Sequence, residues 1–442
     1  MKRRTLLLSG LCTLSGDQRT GEDWPSFLGP WHNGTSLETN LRKSLPPPLL
    51  WQHPKGIGYA SPAVAEGRLV LFHRQGGNET VECLEPESGK LIWRHQYKTE
   101  FEDRYGYNNG PRSSPVLDDG FVYTIGAESN LRCLRLSDGG VVWAHDLRAE
   151  YKLKQDFFGV SSTPLIEGQH LILNLGAPGG PTVAAFEKRT GKFAWGSGNE
   201  WGASYASPIP ATVHGKRRVF VFAGGESQPP TGGLIMLDPG TGAVDFTFPW
   251  RSRSYESVNA SCPVIEGNRA FISASYRTGS AMLEIQPNLK PKLLWTTQEF
   301  GLHFSTPIIH DGHIYGFDGR NEPDASLACL DASNGQLKWR TTLEWTERIE
   351  RNGDVRNEPM SLFRGSLLRA DNKYLALGEF GHLCWLDLSP AGCKELARAR
   401  LFAARETWSL PVLSRGLLYV VQHTRDFLHN TSPRLLCYSL RG

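Results

Sequence analysis

The chain has 442 residues, and Lys+Arg 48 against Asp+Glu 45 leave a formal net charge of only +3, which removes the electrostatic case for a nucleic-acid partner. No stretch reaches the roughly 20 apolar residues that a membrane-spanning helix requires. Gly 47, Pro 28 and Trp 13 suit many turns and heavy aromatic packing.

The N-terminus, Met1-Lys2-Arg3-Arg4 followed by the mostly apolar Thr5 to Leu14, reads as an export signal with a basic and then an apolar region. Ser15-Gly16 is the best cleavage candidate. Residues 1–16 are therefore expected to be a signal, and residues 17–442 a single domain in the cell envelope.

From Pro62 onward the chain repeats. Ser-Pro or Thr-Pro style openings recur at Pro62, Pro115, Pro164, Pro208, Pro263, Pro307, Pro359 and Pro411, at intervals of 44 to 55 residues. Within each unit a residue-plus-Gly turn follows, as at Asp119-Gly120, then two aliphatic strands, and then an acidic-x-x-x-Gly turn before a Trp. A period of this length with several short strands per unit predicts an all-β, eight-bladed β-propeller of four-stranded antiparallel blades. Arg364-Gly365 is read as the first hairpin turn of the seventh unit. The charged run Glu344 to Arg356 is read as a solvated loop or short helix.

The eighth unit stops after its third strand. Leu49-Leu50-Trp51-Gln52-His53 mirrors Leu91-Ile92-Trp93-Arg94-His95, so it is expected to pair with residues 435–440 and close the ring, removing an open edge. Cys83, Cys133, Cys329 and Cys437 occupy one repeat slot, shared with Ala185, Met236, Leu283 and Trp385 in other units. That composition marks a core position rather than a disulfide or metal framework.

The repeat Ser-Pro…Gly…Leu-Asp-x-x-Thr-Gly-Lys-x-x-Trp resembles the pyrroloquinoline quinone (PQQ)-type eight-bladed propellers. These include quinoprotein alcohol dehydrogenases and the propeller subunit of the outer-membrane β-barrel assembly machine. Asp23-Trp24-Pro25-Ser26-Phe27-Leu28-Gly29-Pro30 resembles the opening of exported members. For an enzyme of that group, the resemblance implies a quinone stacked on a Trp, with Ca²⁺ held by Glu, Asn and Asp. Trp408, Arg112 and Asn259 are the candidates for the cofactor, and Glu256, Asn259 and Asp318 for Ca²⁺. The adjacent Cys-Cys pair of those dehydrogenases is missing from this sequence, as is a haem-attachment Cys-x-x-Cys-His.

Function is expected on the face that carries the long loops, since a rigid scaffold positions binding residues there. Tyr105, Tyr107, Arg251, Arg253, Tyr255 and Arg320 are the candidates for holding a protein or an envelope glycan, because Tyr and Arg combine contact area with directional polar groups. Residues just before each inner strand should ring the channel: Tyr59, Arg112, Ser161, Tyr205, Asn259, His303, Glu358 and Trp408. His303 with Glu256 or Glu358 makes a candidate acid–base pair. The leading expectation is a non-enzymatic binding or scaffold protein needing no cofactor. The alternative is an oxidoreductase binding PQQ, with or without Ca²⁺.

Overall fold

The computed structural model describes residues 21–320, 325–351 and 353–442, so the expected signal at 1–16 lies outside the described residues. Eight four-stranded antiparallel sheets form the blades of a propeller. They span residues 63–98, 116–146, 165–197, 209–249, 264–297, 308–341 and 366–400, and the eighth comprises residues 412–439 with Leu49–Pro54. Innermost strands of successive blades pack on one another around the axis. A short helix, Leu147–Tyr151, is capped by the Asp146 side chain, which accepts from the Ala149 N–H.

The Ser-Pro and Thr-Pro motifs have a physical explanation. Their hydroxyls join neighbouring blades at the axis. The N–H of Ser114 donates to Oγ1 of Thr163 at 3.0 Å, and the N–H of Thr163 to Oγ of Ser207 at 2.9 Å. The N–H of Ser207 meets Sγ of Cys262, whose own N–H donates to Oγ1 of Thr306. The proline after each hydroxyl residue begins the inner strand, where no ladder donor is lost.

The Gly…Trp motif locks blades together at the rim. Every outer strand carries a register shift, the kind of bulge that re-aims a side chain. The indole N–H of Trp93 donates to the Leu136 carbonyl of the next blade at 2.8 Å, and Trp143 does the same to Lys188 at 3.0 Å. Above Trp93 lies Gly139 at φ +72°, where an added Cβ would sit 2.5 Å from the ring. Only glycine suits both the backbone and the space.

Ring closure matches the sequence expectation. Leu49–Pro54 pairs with Arg434–Ser439, with Trp51 opposite Cys437 and His53 opposite Leu435. Trp51 then donates to the Pro86 carbonyl of the first blade. Seven described cysteines are unbonded, and six of these are buried.

Four readings need correction, all where the repeat is irregular. Pro359 does not open the seventh blade. It lies in a hairpin, Trp345–Arg351 with Asp354–Met360, so the charged run there is strand rather than loop or helix. Arg364-Gly365 precedes the inner strand Ser366–Ala370, whose hairpin turn is at Asp371 and Asn372. In the fifth blade the shared slot holds Met282, opposite Trp295, and not Leu283.

An arm before the first blade was not foreseen as structure. Trp24 is 1% exposed and pairs with Val64, Thr35 bridges Arg369, and Leu41 bridges Arg441. Glu38 accepts from the N–H groups of Arg415 and Gly416. The arm thus ties the first, seventh and eighth blades together across the short-turn face. Phe27 reaches the channel. Among the described residues no helix is long and apolar enough to cross a membrane.

Candidate functional site

Loops that join blades on the opposite face converge on a cavity of about 210 Å³ at the channel mouth. Its polar floor includes Ser61, Ser114, Thr163, Ser207 and Ser409, and Phe27 of the arm also lines it. The walls are aromatic. Trp408 sits 5.1 Å from Tyr59, 5.8 Å from Tyr107 and 5.5 Å from Phe304, measured between ring centroids. Tyr107 also touches Phe158, which leads to Tyr205. Offset and edge-on contacts of this kind hold rings in place.

Charges around the cavity are matched internally. Arg112 pairs with Asp103, and Arg364 pairs with Glu379. Arg364 also lies 4.8 Å above the Trp408 ring, a cation–π contact. Tyr59 donates to Glu406, whose pKa burial pushes upward. His303 bonds to the Tyr276 hydroxyl through Nε2 at 3.2 Å, while its Nδ1 is buried without a partner among the described residues. Burial, then Arg320 and Arg364, hold His303 down to about 3, so it is neutral near pH 7.

Of the eight expected ring residues, Tyr59, Arg112, Ser161, Tyr205, His303 and Trp408 line the cavity. Asn259 does not: it is fully buried, and its Nδ2 donates to the carbonyls of Ala223 and Trp250. Glu358 belongs to the inserted hairpin, opposite Glu347. It was misplaced because Pro359 set the wrong phase. Arg364 takes that blade's place at the cavity. Reading Asp371-Asn372 as the turn between two aliphatic strands would have found it.

The acid–base pair is not formed. Neither Glu256, exposed on its loop, nor Glu358 bonds to His303. The oxygen donors proposed for Ca²⁺ do not converge either. Asp318 pairs with Arg340 at 2.7 Å and accepts from the Gly301 N–H, while Asn259 is bound to the fourth blade. No group of three or more metal-ligating His, Cys, Asp or Glu occurs among the described residues. The set present therefore does not fit a calcium-held quinone.

Outside the cavity, Tyr105 and Tyr255 flank Phe157 at 6.3 and 5.5 Å. Tyr105, Tyr107 and Tyr255 are 46%, 48% and 39% exposed. Arg253 is exposed, and Arg320 is exposed but stacks on Tyr276 at 4.5 Å. Arg251 is not presented to a partner. Its guanidinium donates to the carbonyls of Gly224, Gly225, Thr231 and Ser257, which clamps two loops.

Comparison with known proteins follows the same lines. BamB from Moraxella catarrhalis is 13% identical, with a TM-score of 0.56 over 89% of this chain and 97% of that one. Quinohemoprotein alcohol dehydrogenase from Comamonas testosteroni is 12% identical, with a TM-score of 0.66 over 96% and 81%. The quinohemoprotein alcohol dehydrogenase ADHIIG from Pseudomonas putida HK5 is 13% identical, with a TM-score of 0.62 over 95% and 80%. At such identities the likeness is one of fold. Curated protein sequences yield no match. A family model, described as outer membrane protein assembly factor BamB, matches residues 77–341. With more than half of its length matched, the chain belongs to the outer membrane protein assembly factor BamB family, built on PQQ-type repeats.

Proposed function

We propose that this protein is an exported, non-enzymatic binding module for a protein partner in outer-membrane assembly, engaged through the long-loop face. The observation that carries this reading is the exposed cluster of Tyr105, Tyr107 and Tyr255 over Phe157 and Phe158. Contiguous exposed aromatics on a rigid scaffold are what a partner-binding surface presents. A photo-crosslinking residue in place of Tyr105 or Tyr255 tests it, with Glu266 on the short-turn side as control. One shared adduct at both tyrosines, missing at Glu266, supports the reading. Adducts that do not differ among the three positions sink it.

A second reading, an oxidoreductase binding PQQ, rests on the aromatic walls around Trp408 and on Arg112. Titration with PQQ, with and without Ca²⁺, separates the two. Saturable quenching lost in Trp408→Ala favours the oxidoreductase, and no binding retires it.

A further inference from the structure

A second and larger cavity, about 310 Å³, opens on the long-loop face among the loops of the second, third and fourth blades. Tyr205 lines both this cleft and the channel cavity. The cleft has two kinds of wall. One is apolar, with Phe101, Leu153, Leu175 and Trp201. The other is rich in hydrogen-bond acceptors and centres on Asp156.

Asp156 is unusual among the carboxylates here. It is partly buried in the cleft, and its Oδ1 accepts one bond, from the Glu226 N–H at 3.2 Å. Oδ2 takes no protein donor among the described residues. An added Cβ on Gly225 would sit 2.9 Å from it, so Oδ2 rests against bare backbone. Of the cations in and around the cleft, Arg104 pairs with Glu226, Arg148 with Glu128, and Arg251 bonds four carbonyls, while the exposed Lys154, also on the lining, makes no ion pair with Asp156 among the described residues. A second acceptor lies on the same lining. Asn174 is 7% exposed, spends its Nδ2 on two long contacts to the Ala206 and Phe222 carbonyls, and leaves Oδ1 buried without a partner among the described residues. A buried acceptor without a donor is costly. A partly buried carboxylate with no direct ion pair is likewise disfavoured in its charged form.

We propose that this cleft seats a primary ammonium group carried on an alkyl stem, with Asp156 as its counter-ion and the apolar wall covering the stem. Charge-assisted N–H···O bonds to a partly desolvated carboxylate are strong, and methylene stems bury favourably along apolar surface. A bare metal ion suits the site poorly. It would need several hard oxygen ligands, whereas half of the lining is hydrocarbon. Two sources share this chemistry, a free aliphatic amine and a lysine side chain of another protein.

Calorimetric titration of the full chain at pH 7.5 decides the matter. The probes are cadaverine, Nα-acetyl-lysine N-methylamide, the same compound acetylated on Nζ, and CaCl₂. Saturable binding of at least one ammonium probe is expected, weakened about tenfold or more by Asp156→Asn and lost on Nζ-acetylation. Asn174→Ala should weaken it severalfold, and Trp408→Ala, which lines only the channel cavity, should leave it unchanged. Tighter cadaverine binding assigns a free amine, and tighter lysine-derivative binding assigns a protein side chain. The proposal is overturned if Asp156→Asn, melting no lower than wild type, binds as well as wild type. It is also overturned if the acetylated probe binds equally, or if Ca²⁺ binds and neither amine does.

Discussion

The indole N–H of Trp408 donates to Oε1 of Glu379 at 2.8 Å. Trp408 stands at the opening of the eighth blade and Glu379 between the second and third strands of the seventh. The same carboxylate pairs with Arg364, which covers the Trp408 ring. One buried Glu therefore fixes both the flat wall of the cavity and the cation above it. Trp408→Phe should cost about 1 kcal/mol, because Glu379 keeps its arginine. Trp408→Ala should cost about 2–3 kcal/mol, since Tyr59, Tyr107 and Phe304 lose a shared neighbour. Urea unfolding of the two variants measures the difference.

Gly139 and Gly120 make a matched pair. Both have positive φ, +72° and +78°, but a Cβ on Gly139 meets the Trp93 ring while one on Gly120 meets nothing within 4 Å. Gly120→Ala should cost about 1 kcal/mol of backbone strain. Gly139→Ala should cost about 2–4 kcal/mol, adding the clash at the blade junction. Equal melting temperatures would show that the Trp is not held by its neighbour's turn.

Asp156 gives a pH signature. Burial, then nearby Glu226, raise its pKa from 3.8 to about 6. A raised carboxylate means the folded state holds its proton more tightly than the unfolded chain, so stability is lost as pH rises from about 4 to about 6. Roughly two pKa units correspond to at most about 3 kcal/mol. Asp156→Asn removes that loss, so it should gain stability over wild type by up to this amount between pH 4.5 and pH 7.5. Denaturant titrations at both pH values read it, and a constant difference would contradict the assignment.

The arm that crosses the short-turn face is expected to be part of the cooperative unit. Trp24→Ala empties a site that is 1% exposed and should cost about 3–5 kcal/mol. Differential scanning calorimetry should still show a single transition, at lower temperature. A separate early transition would mean that the arm melts independently.

Much of the ring could be read from residue order because its joints are local and periodic. Ser114 and Thr163, or Trp93 and Gly139, are separated by one repeat length, and the same chemistry recurs at each step. Pro359 shows where such reading fails. A hairpin inserted between blades carries a proline in the expected window, and one shifted landmark moved Glu358 into the channel and Arg364 out of it. Phe27, another unforeseen member, arrives from an arm with no counterpart in other repeats, whereas Phe304 stands three residues before Pro307, the position that Tyr59, Arg112, Ser161, Tyr205 and Trp408 hold before their own prolines. Arg251 and Tyr255 are close in the chain yet differ in role. Only the geometry tells that one guanidinium is saturated by carbonyls while the phenol ring stays exposed.

The pairing of Leu49–Pro54 with Arg434–Ser439 sets an order of events during synthesis. A ribosome releases this strand nearly a full chain length before its partner exists, and closing so long a loop is slow. Until then Leu49 and Leu50 sit on an unpaired edge, open to strands of other nascent chains. A premature stop codon anywhere after the seventh blade should therefore yield no smaller propeller, but an open arc with one sticky end.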